Sequence, residues 1–398
     1  MNTATTITAR LSAALTDGKY SDALVLLAEM RIRNEVPKLG ALCRWVRDLD
    51  VVSGLFIQAD GVMGTCISRT KEDIERLTVL DAILRVTGPL DLNPESFTRL
   101  SSDSIVPQKI WSLRDLEKEP MKIRQSVLDK TIFKFLPKNF ESAFEIVEST
   151  PGPQRKPPNL HPAVVYLTSD NAVPLSQNGS KITHHKHPTV PNLSLIKDVL
   201  SSDECASIIA ATESIGFLAD APIRDDGSQS SILAHNVYWM IDQAFHDALW
   251  ERVRHFVPAD VAGKTAQGIN RRFRVYRYVP GAEYRCHIDG AWPPSGIHPI
   301  TKAYQYDSSP ENAKQSSLFT FLIYLNDEFE GGETTFFLPS VREGVMNAYP
   351  VHPVMGSVAM FPHGETIGAL LHEGTGVRKG AKYVIRTDVE YTIEPVLE

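Results

Sequence analysis

A histidine and an aspartate one residue apart, His287 and Asp289, are answered by a second histidine, His372, eighty-five positions later. Two imidazoles and one carboxylate can occupy one face of an Fe(II) ion and leave the opposite positions open. The single residue between them, Ile288, suits a strand end, where alternate side chains share a face and His287 and Asp289 grip one ion together. Acting as a set, the three residues require a fold that returns His372 to the end of the His287 strand. Thiolate ligation is not implied, because Cys286 alternates to the opposite side of that strand.

Around this set the chain divides into three stretches. The first 150 residues read as mainly helical. Tyr20, Ala23, Leu24, Leu27 and Ala28 follow the spacing of one apolar helical face, and Ile74, Leu77, Leu80 and Leu84 make a second stripe closed by Gly88-Pro89. Pro37 fits the first turn of a helix through Leu39, Leu42 and Trp45. Nothing there carries recognisable chemistry, so residues 1–150 are expected to form a helical accessory domain. From 151 to 191, Pro151, Pro153, Pro157, Pro158 and Pro162 cluster ahead of a polar run with Asn178-Gly179-Ser180. Repeated prolines interrupt helices and sheet ladders, which predicts an interdomain linker with one short strand at Ala163–Thr168. His184, His185 and His187 have no Cys or carboxylate at ligand spacing, so they are read as exposed linker residues rather than a metal site.

Residues 192–398 alternate helices and strands. Ser201 with Glu204 fits a capping box that opens a helix with Cys205, Ile208 and Ile209 on one face. A second helix is predicted near Asp242–Phe256, with Phe245, Leu249, Val253 and Phe256 as its core stripe. Strands are predicted near Phe273–Val279, Leu318–Leu325, Glu333–Phe337, Ser357–Phe361 and Lys382–Tyr391. Strands following a pair of helices, with Pro/Gly turns between, argue for an α+β chain built on a β-sandwich flanked by helices.

Composition narrows the class. A length of 398 residues allows two domains with real cores, and 42% hydrophobic with 22% charged residues is ordinary for a soluble globular protein. A net charge of −7 gives no general attraction to nucleic acid or anionic membrane, so neither is an expected partner. Cys43, Cys66, Cys205 and Cys286 lie far apart without a CxxC pair, which favours a reducing compartment. No basic region followed by an apolar run opens the sequence, and no apolar segment is long enough to span a bilayer. A cytoplasmic location is expected.

Four segments carry a more specific signal. They are Phe273-Arg-Val-Tyr-Arg-Tyr-Val-Pro-Gly-Ala-Glu-Tyr-Arg-Cys-His-Ile-Asp289, Leu318-Phe-Thr-Phe-Leu-Ile-Tyr-Leu-Asn326, Glu330-Gly-Gly-Glu-Thr-Thr-Phe336 and the run from His372 to Arg386. Their order and spacing resembles the catalytic domain of the prolyl-4-hydroxylase-like Fe(II)/2-oxoglutarate dioxygenases, over about residues 193–393. The resemblance implies a double-stranded β-helix (jelly roll) with Fe(II) held by His287, Asp289 and His372. It further implies 2-oxoglutarate as co-substrate, chelating through its C1 carboxylate and keto oxygen, with O2 in the last position and ascorbate as an accessory reductant. Succinate and CO2 would be the co-products.

The distal carboxylate of 2-oxoglutarate needs a fixed cation. Lys382 stands ten residues after His372, where the resembled family places its basic anchor; Arg386, four residues on and on the same strand face, is the runner-up. Arg378 and Lys379 are read as solvated, and Tyr383, Ile385, Val389 and Tyr391 as core. Tyr278 matches a family aromatic that contacts the co-substrate through its hydroxyl, Tyr284 a second aromatic position, and Thr320 a threonine lining the co-substrate pocket; plain core packing is the alternative for each. Gly331-Gly332-Glu333-Thr334 reads as a turn that bulky residues would not tolerate, as do Gly356 and Gly374. In the insert after Asp289, Trp292, His298, Tyr304 and Tyr306 are read either as substrate contacts or as a solvated lid.

Asp289 stands where halogenating relatives carry a small residue, so the resemblance implies hydroxylation of an unactivated C–H bond, or a related desaturation or ring closure. The substrate stays open between a residue in a peptide or protein and a small molecule. Two rival readings are a catalytically silent binding module and a Zn(II) hydrolase, which can also use two His and one Asp. A basic strand residue has no role in hydrolysis, and a silent module has no need of all four groups.

Overall fold

Four helices open the chain: α1 (Ile7–Thr16), α2 (Tyr20–Arg33), α3 (Leu39–Leu49) and α4 (Lys71–Thr87). The computed structural model describes residues 6–57, 63–65, 68–93, 103–117, 119–136, 140–176, 181–223, 234–363 and 366–393; Cys66 and the Asn178-Gly179-Ser180 run lie outside them. Helix α4 starts with a capping box in which the Thr70 hydroxyl accepts from the Asp73 amide and the Asp73 carboxylate from the Thr70 amide. The buried face of α2 is Ala23, Leu26, Leu27 and Met30, rotated slightly from the expected one: Tyr20 and Leu24 are only partly buried and Ala28 is exposed. Its neighbours explain this, since α2 packs against both α1 and α4. Helix α3 begins two residues after Pro37 and is capped by Lys38, so the proline precedes the helix rather than sitting in its first turn.

The strands along the main paths of the two large sheets follow in chain order. They are β1 (Ile105–Pro107), β2 (Phe144–Thr150), β3 (Ala163–Thr168), β4 (Thr183–Lys186), β5 (Ser194–Lys197), β6 (His235–Met240) and β7 (Arg272–Tyr278). Next come β8 (Tyr284–His287), β9 (Gln315–Tyr324), β10 (Thr334–Pro339) and β11 (Met346–Val351). The last are β12 (Val358–Pro362), β13 (His372–Gly374) and β14 (Lys382–Thr392). The larger sheet runs β2-β3-β6-β7-β14-β9-β12-β5-β4, and the smaller runs β8-β13-β10-β11-β1. From β7 onward the chain alternates between them: β7, β9, β12 and β14 lie in the larger sheet, and β8, β10, β11 and β13 in the smaller.

The inner faces meet where Phe336 of β10 packs edge-on against Phe361 of β12, ring centroids 4.9 Å apart. On the outer face of the larger sheet, Phe273, Val275, Phe321, Ile323, Tyr383 and Ile385 bury against helices Ser202–Ile215 and Gln243–Val253. The expected capping box of Ser201 and Glu204 is present, and the second helix is capped by Asp242, which accepts from the Phe245 amide. The outer face of the smaller sheet belongs to the N-terminal helices. Leu11, Leu27, Trp45, Leu80 and Ile83 share one cluster with Cys286, Ile288, Phe337, Met346 and Leu371. A buried ion pair reinforces that seam: Arg85 pairs with Asp81 at 2.7 Å and donates to the Ser340 carbonyl at 2.6 Å, while the Gly344 amide donates to Asp81 at 2.8 Å.

Residues 151–191 correct the expectation of a linker. Strand β3 pairs parallel with β6, β4 pairs with β5, and both are integral to the larger sheet. Prolines there occupy the turns around strands, not their ladders. His187 is buried rather than exposed; its Nδ1 accepts from the Thr189 and Val190 amides, and burial lowers its pKa to about 4. Among the described residues, no helix is long and apolar enough to cross a membrane.

Candidate metal centre

Strands β8 and β13 are antiparallel partners in the smaller sheet, and their register sets His287 directly opposite His372. That pairing closes the gap of eighty-five residues. Asp289 stands just past the end of β8, and one ligand atom from each of the three residues lies within 4.8 Å of the others. His287 Nε2 is 3.5 Å from Asp289 Oδ1, and His372 Nε2 is 3.6 Å from Asp289 Oδ2. Cys286 faces the opposite side and touches Glu373 Oε2 at 3.5 Å.

The ring tautomers are set by backbone. His287 Nδ1 lies 2.7 Å from the Arg285 carbonyl and His372 Nδ1 3.1 Å from the Leu370 carbonyl. A carbonyl can only accept, so both Nδ1 atoms carry the proton and both Nε2 lone pairs point to the shared space. His372 is boxed by Phe361 and Phe336, at 4.7 Å and 5.7 Å between ring centroids. Burial, with His287 beside it, lowers its pKa to about 3, so it stays a neutral donor. Burial alone would raise Asp289; the Arg386 charge outweighs it and holds the carboxyl well below its usual range. Two neutral imidazole nitrogens and one ionised carboxylate are a donor set that fits a divalent transition metal.

Thr320, expected to line a co-substrate pocket, donates instead to Asp289 Oδ2 at 2.6 Å. Arg386 is likewise drawn to the metal end, with Nε 3.3 Å from Asp289 Oδ1 and an Nη 3.1 Å from Asp388 Oδ1. Thr320 and Arg386 therefore orient the carboxylate between the two histidines.

Lys382 sits elsewhere on the same inner face, opposite Tyr278 in the β7–β14 register. Its side chain is buried, its Nζ donates to the Gly332 carbonyl at 2.7 Å, and the Tyr278 and Tyr324 rings lie 5.6 and 5.8 Å away. Among the described residues it makes no ion pair. Burial lowers its pKa to about 8, opposed by the charge of Glu333. The acceptor that holds it belongs to the Gly331-Gly332 turn, where φ is +77° and +72° and a Cβ on Gly331 would meet the Gly376 carbonyl oxygen at 2.3 Å. Tyr278 is buried, and among the described residues its hydroxyl has no hydrogen-bond partner. Tyr284 lies tilted against His287, ring centroids 4.2 Å apart.

In the insert after Asp289, Trp292 packs against Tyr306 at 5.6 Å, and Tyr304 Oη meets Ser295 Oγ at 3.1 Å; His298 caps a turn through the Thr301 amide at 3.1 Å. Sequence reasoning missed Arg272 and Arg274, which line a cleft beside Arg386 with Tyr238 and Trp292. The signal was present, because Arg272, Arg274, Tyr276 and Tyr278 alternate with buried Phe273 and Val275 along one strand.

Comparison with known proteins adds a family. Residues 273–387 match the model of the 2OG-Fe(II) oxygenase superfamily. No curated protein matches the chain. Among solved structures, the viral collagen prolyl hydroxylase of Paramecium bursaria Chlorella virus-1, in a 2OG complex, is 20% identical over 51% of this chain and 97% of that chain, with a TM-score of 0.32. A Pseudomonas putida prolyl-4-hydroxylase is 17% identical over 50% of this chain and 91% of that one, TM-score 0.30. A Trichoplax adhaerens prolyl hydroxylase, in complex with a hypoxia inducible factor peptide fragment, is 15% identical over 50% and 83%, TM-score 0.34. At these TM-scores the likenesses carry no argument about this chain.

Proposed function

We propose that this chain, whose residues 273–387 form a domain of the 2OG-Fe(II) oxygenase superfamily, oxidises an unactivated C–H bond of a peptide or small-molecule substrate while converting 2-oxoglutarate to succinate and CO2. The observation that carries this reading is one inner face holding two separate features. At one end His287, Asp289 and His372 converge; at the other lies Lys382, a buried cation without an ion-pair partner among the described residues. An unpaired buried charge is costly, and an anionic ligand would offset that cost. The alternation of β7 to β14 between two sheets supports a double-stranded β-helix as the frame.

An Fe(II) ion held by His287, Asp289 and His372 would supply the redox chemistry that couples oxidation of 2-oxoglutarate to oxidation of the substrate. The chain's own groups divide the remaining tasks. The Arg285 and Leu370 carbonyls keep both Nε2 atoms unprotonated, and Thr320 with Arg386 fixes the carboxylate. Lys382 would hold the distal carboxylate of 2-oxoglutarate and Tyr278 would donate its free hydroxyl to the same ligand. Arg386 lies four residues from Lys382, about 13 Å along the strand, and is committed to Asp289 and Asp388, which favours Lys382 as the anchor. Phe336 and Phe361 wall the histidine from water.

Succinate formation tests the reading. The purified chain with Fe(II), O2 and 2-oxoglutarate should release succinate, and His372→Ala should abolish release while leaving the circular dichroism spectrum unchanged. Undiminished succinate from that variant would remove the metal assignment.

A further inference from the structure

Beside the metal centre, on the side away from Lys382, an open cleft is lined by Arg272, Arg274, Arg386, Asp388, Tyr238 and Trp292. Arg386 belongs to both places, since its Nε reaches Asp289. The Arg272 guanidinium lies 4.8 Å from the centroids of both the Tyr238 and the Trp292 ring. Stacking of this kind fixes the plane of the fork without consuming its N–H donors. Among the described residues Arg272 makes no ion pair, and its buried Nε meets no acceptor. Arg274 reaches Asp220 at 2.6 Å, yet Arg155 holds the same carboxylate at 2.9 Å, and the buried Nε of Arg274 also lacks an acceptor. The carboxylate lining the cleft, Asp388, is shared by Arg386 and His363 at 3.1 Å each.

Of the three guanidiniums, Arg386 is held by Asp289 and Asp388 and Arg274 shares Asp220 with Arg155, which leaves Arg272 as the cation without an ion-pair partner among the described residues. An arginine held between two rings with no carboxylate of its own leaves a charge that an incoming anion would offset. A compact planar anion matches the fork, whereas the overall negative charge opposes a long polyanion.

We propose that this cleft is the substrate subsite and that it recognises a carboxylate, carried either on a peptide side chain or on a free organic acid. Arg272 and Arg274 hold that group, and the bond to be oxidised extends from it past Arg386 toward His287, Asp289 and His372. The catalytic half of this statement rests on the dioxygenase reading above; the preference for an anion does not.

The test titrates the full chain, loaded with Mn(II) and saturated with 2-oxoglutarate, with two matched pairs of probes. One pair is phenylacetate against phenylacetamide. The other is acetyl-Ala-Glu-Ala-amide against acetyl-Ala-Gln-Ala-amide. At least one acid should bind about ten- to a hundredfold more tightly than its own amide, and the pair that discriminates identifies a free acid or a peptide-borne one. Arg272→Met should erase the preference, and Arg272→Lys should restore part of it, because lysine keeps the charge but not the fork. Equal binding within both pairs, no binding of either acid, or a preference that survives in Arg272→Met overturns the proposal. If 2-oxoglutarate fails to bind while the acid preference persists, the dioxygenase reading falls and the anion subsite stands.

Discussion

Lys382 carries a positive charge into an apolar interior, and pH acts on it directly. Its pKa falls from the ordinary 10.5 to about 8 because burial disfavours the charged form. Between those values the unfolded chain holds more protons than the folded one, so this group's contribution to stability rises with pH across that window, and its penalty is fully present below about 8. Co-substrate binding has the opposite sign, because only the charged lysine pairs with a carboxylate. The affinity for 2-oxoglutarate should therefore fall as pH climbs through about 8, and Lys382→Arg, which does not titrate there, should flatten the profile. Calorimetry on the Mn(II)-loaded protein reads this, and a flat profile in the native chain would contradict it. Thr320→Val removes the 2.6 Å donor to Asp289 while keeping the side-chain volume. Loss of such an outer partner should weaken metal binding by about ten- to a hundredfold, measured by Mn(II) titration. The pairing of His287 with Asp289 was legible from strand alternation, and His372 from the motifs around it, while the register that sets His372 opposite His287 is seen only in the fold. The partner of Thr320 was not legible, because β9 and β8 belong to different sheets and no local pattern reports that contact.

At the scale of elements, the Gly331-Gly332 turn links the backbone to Lys382. Ala at 331 would need a positive φ and would press its Cβ on the Gly376 carbonyl. Gly331→Ala should lower stability by about 1–3 kcal/mol, seen as a lower urea midpoint; an unchanged midpoint would mean the turn relaxes freely. Strands with clear period-two patterning, β7 and β14, lay close to their expected bounds. Strand β11 did not announce itself, since all six residues of Met346–Val351 are buried and no alternation survives. Strand β3 was expected at Ala163–Thr168, whereas β2 and β4 on either side of it were hidden by nearby prolines, whose effect is local to turns.

For the whole molecule, the N-terminal helices share a core with the smaller sheet. A fragment beginning at Pro188 would lose β1 to β4 and uncover Ile288, Phe337, Met346 and Leu371. Each such side chain contributes about 1.5–3 kcal/mol when buried, against a total stability of about 5–15 kcal/mol. That fragment should show no cooperative thermal transition, whereas a cooperative one with retained co-substrate binding would restore an independent catalytic unit. The surface shared by the N-terminal helices and the smaller sheet depends on tertiary packing that periodicity does not encode. The most direct measurement is a calorimetric titration of 2-oxoglutarate into the full chain under anaerobic conditions, with and without Mn(II). The account predicts one site per chain that requires the metal, is lost in His372→Ala and is weakened about ten- to a hundredfold in Lys382→Met. Binding that ignores the metal, or that survives both substitutions unchanged, would contradict it.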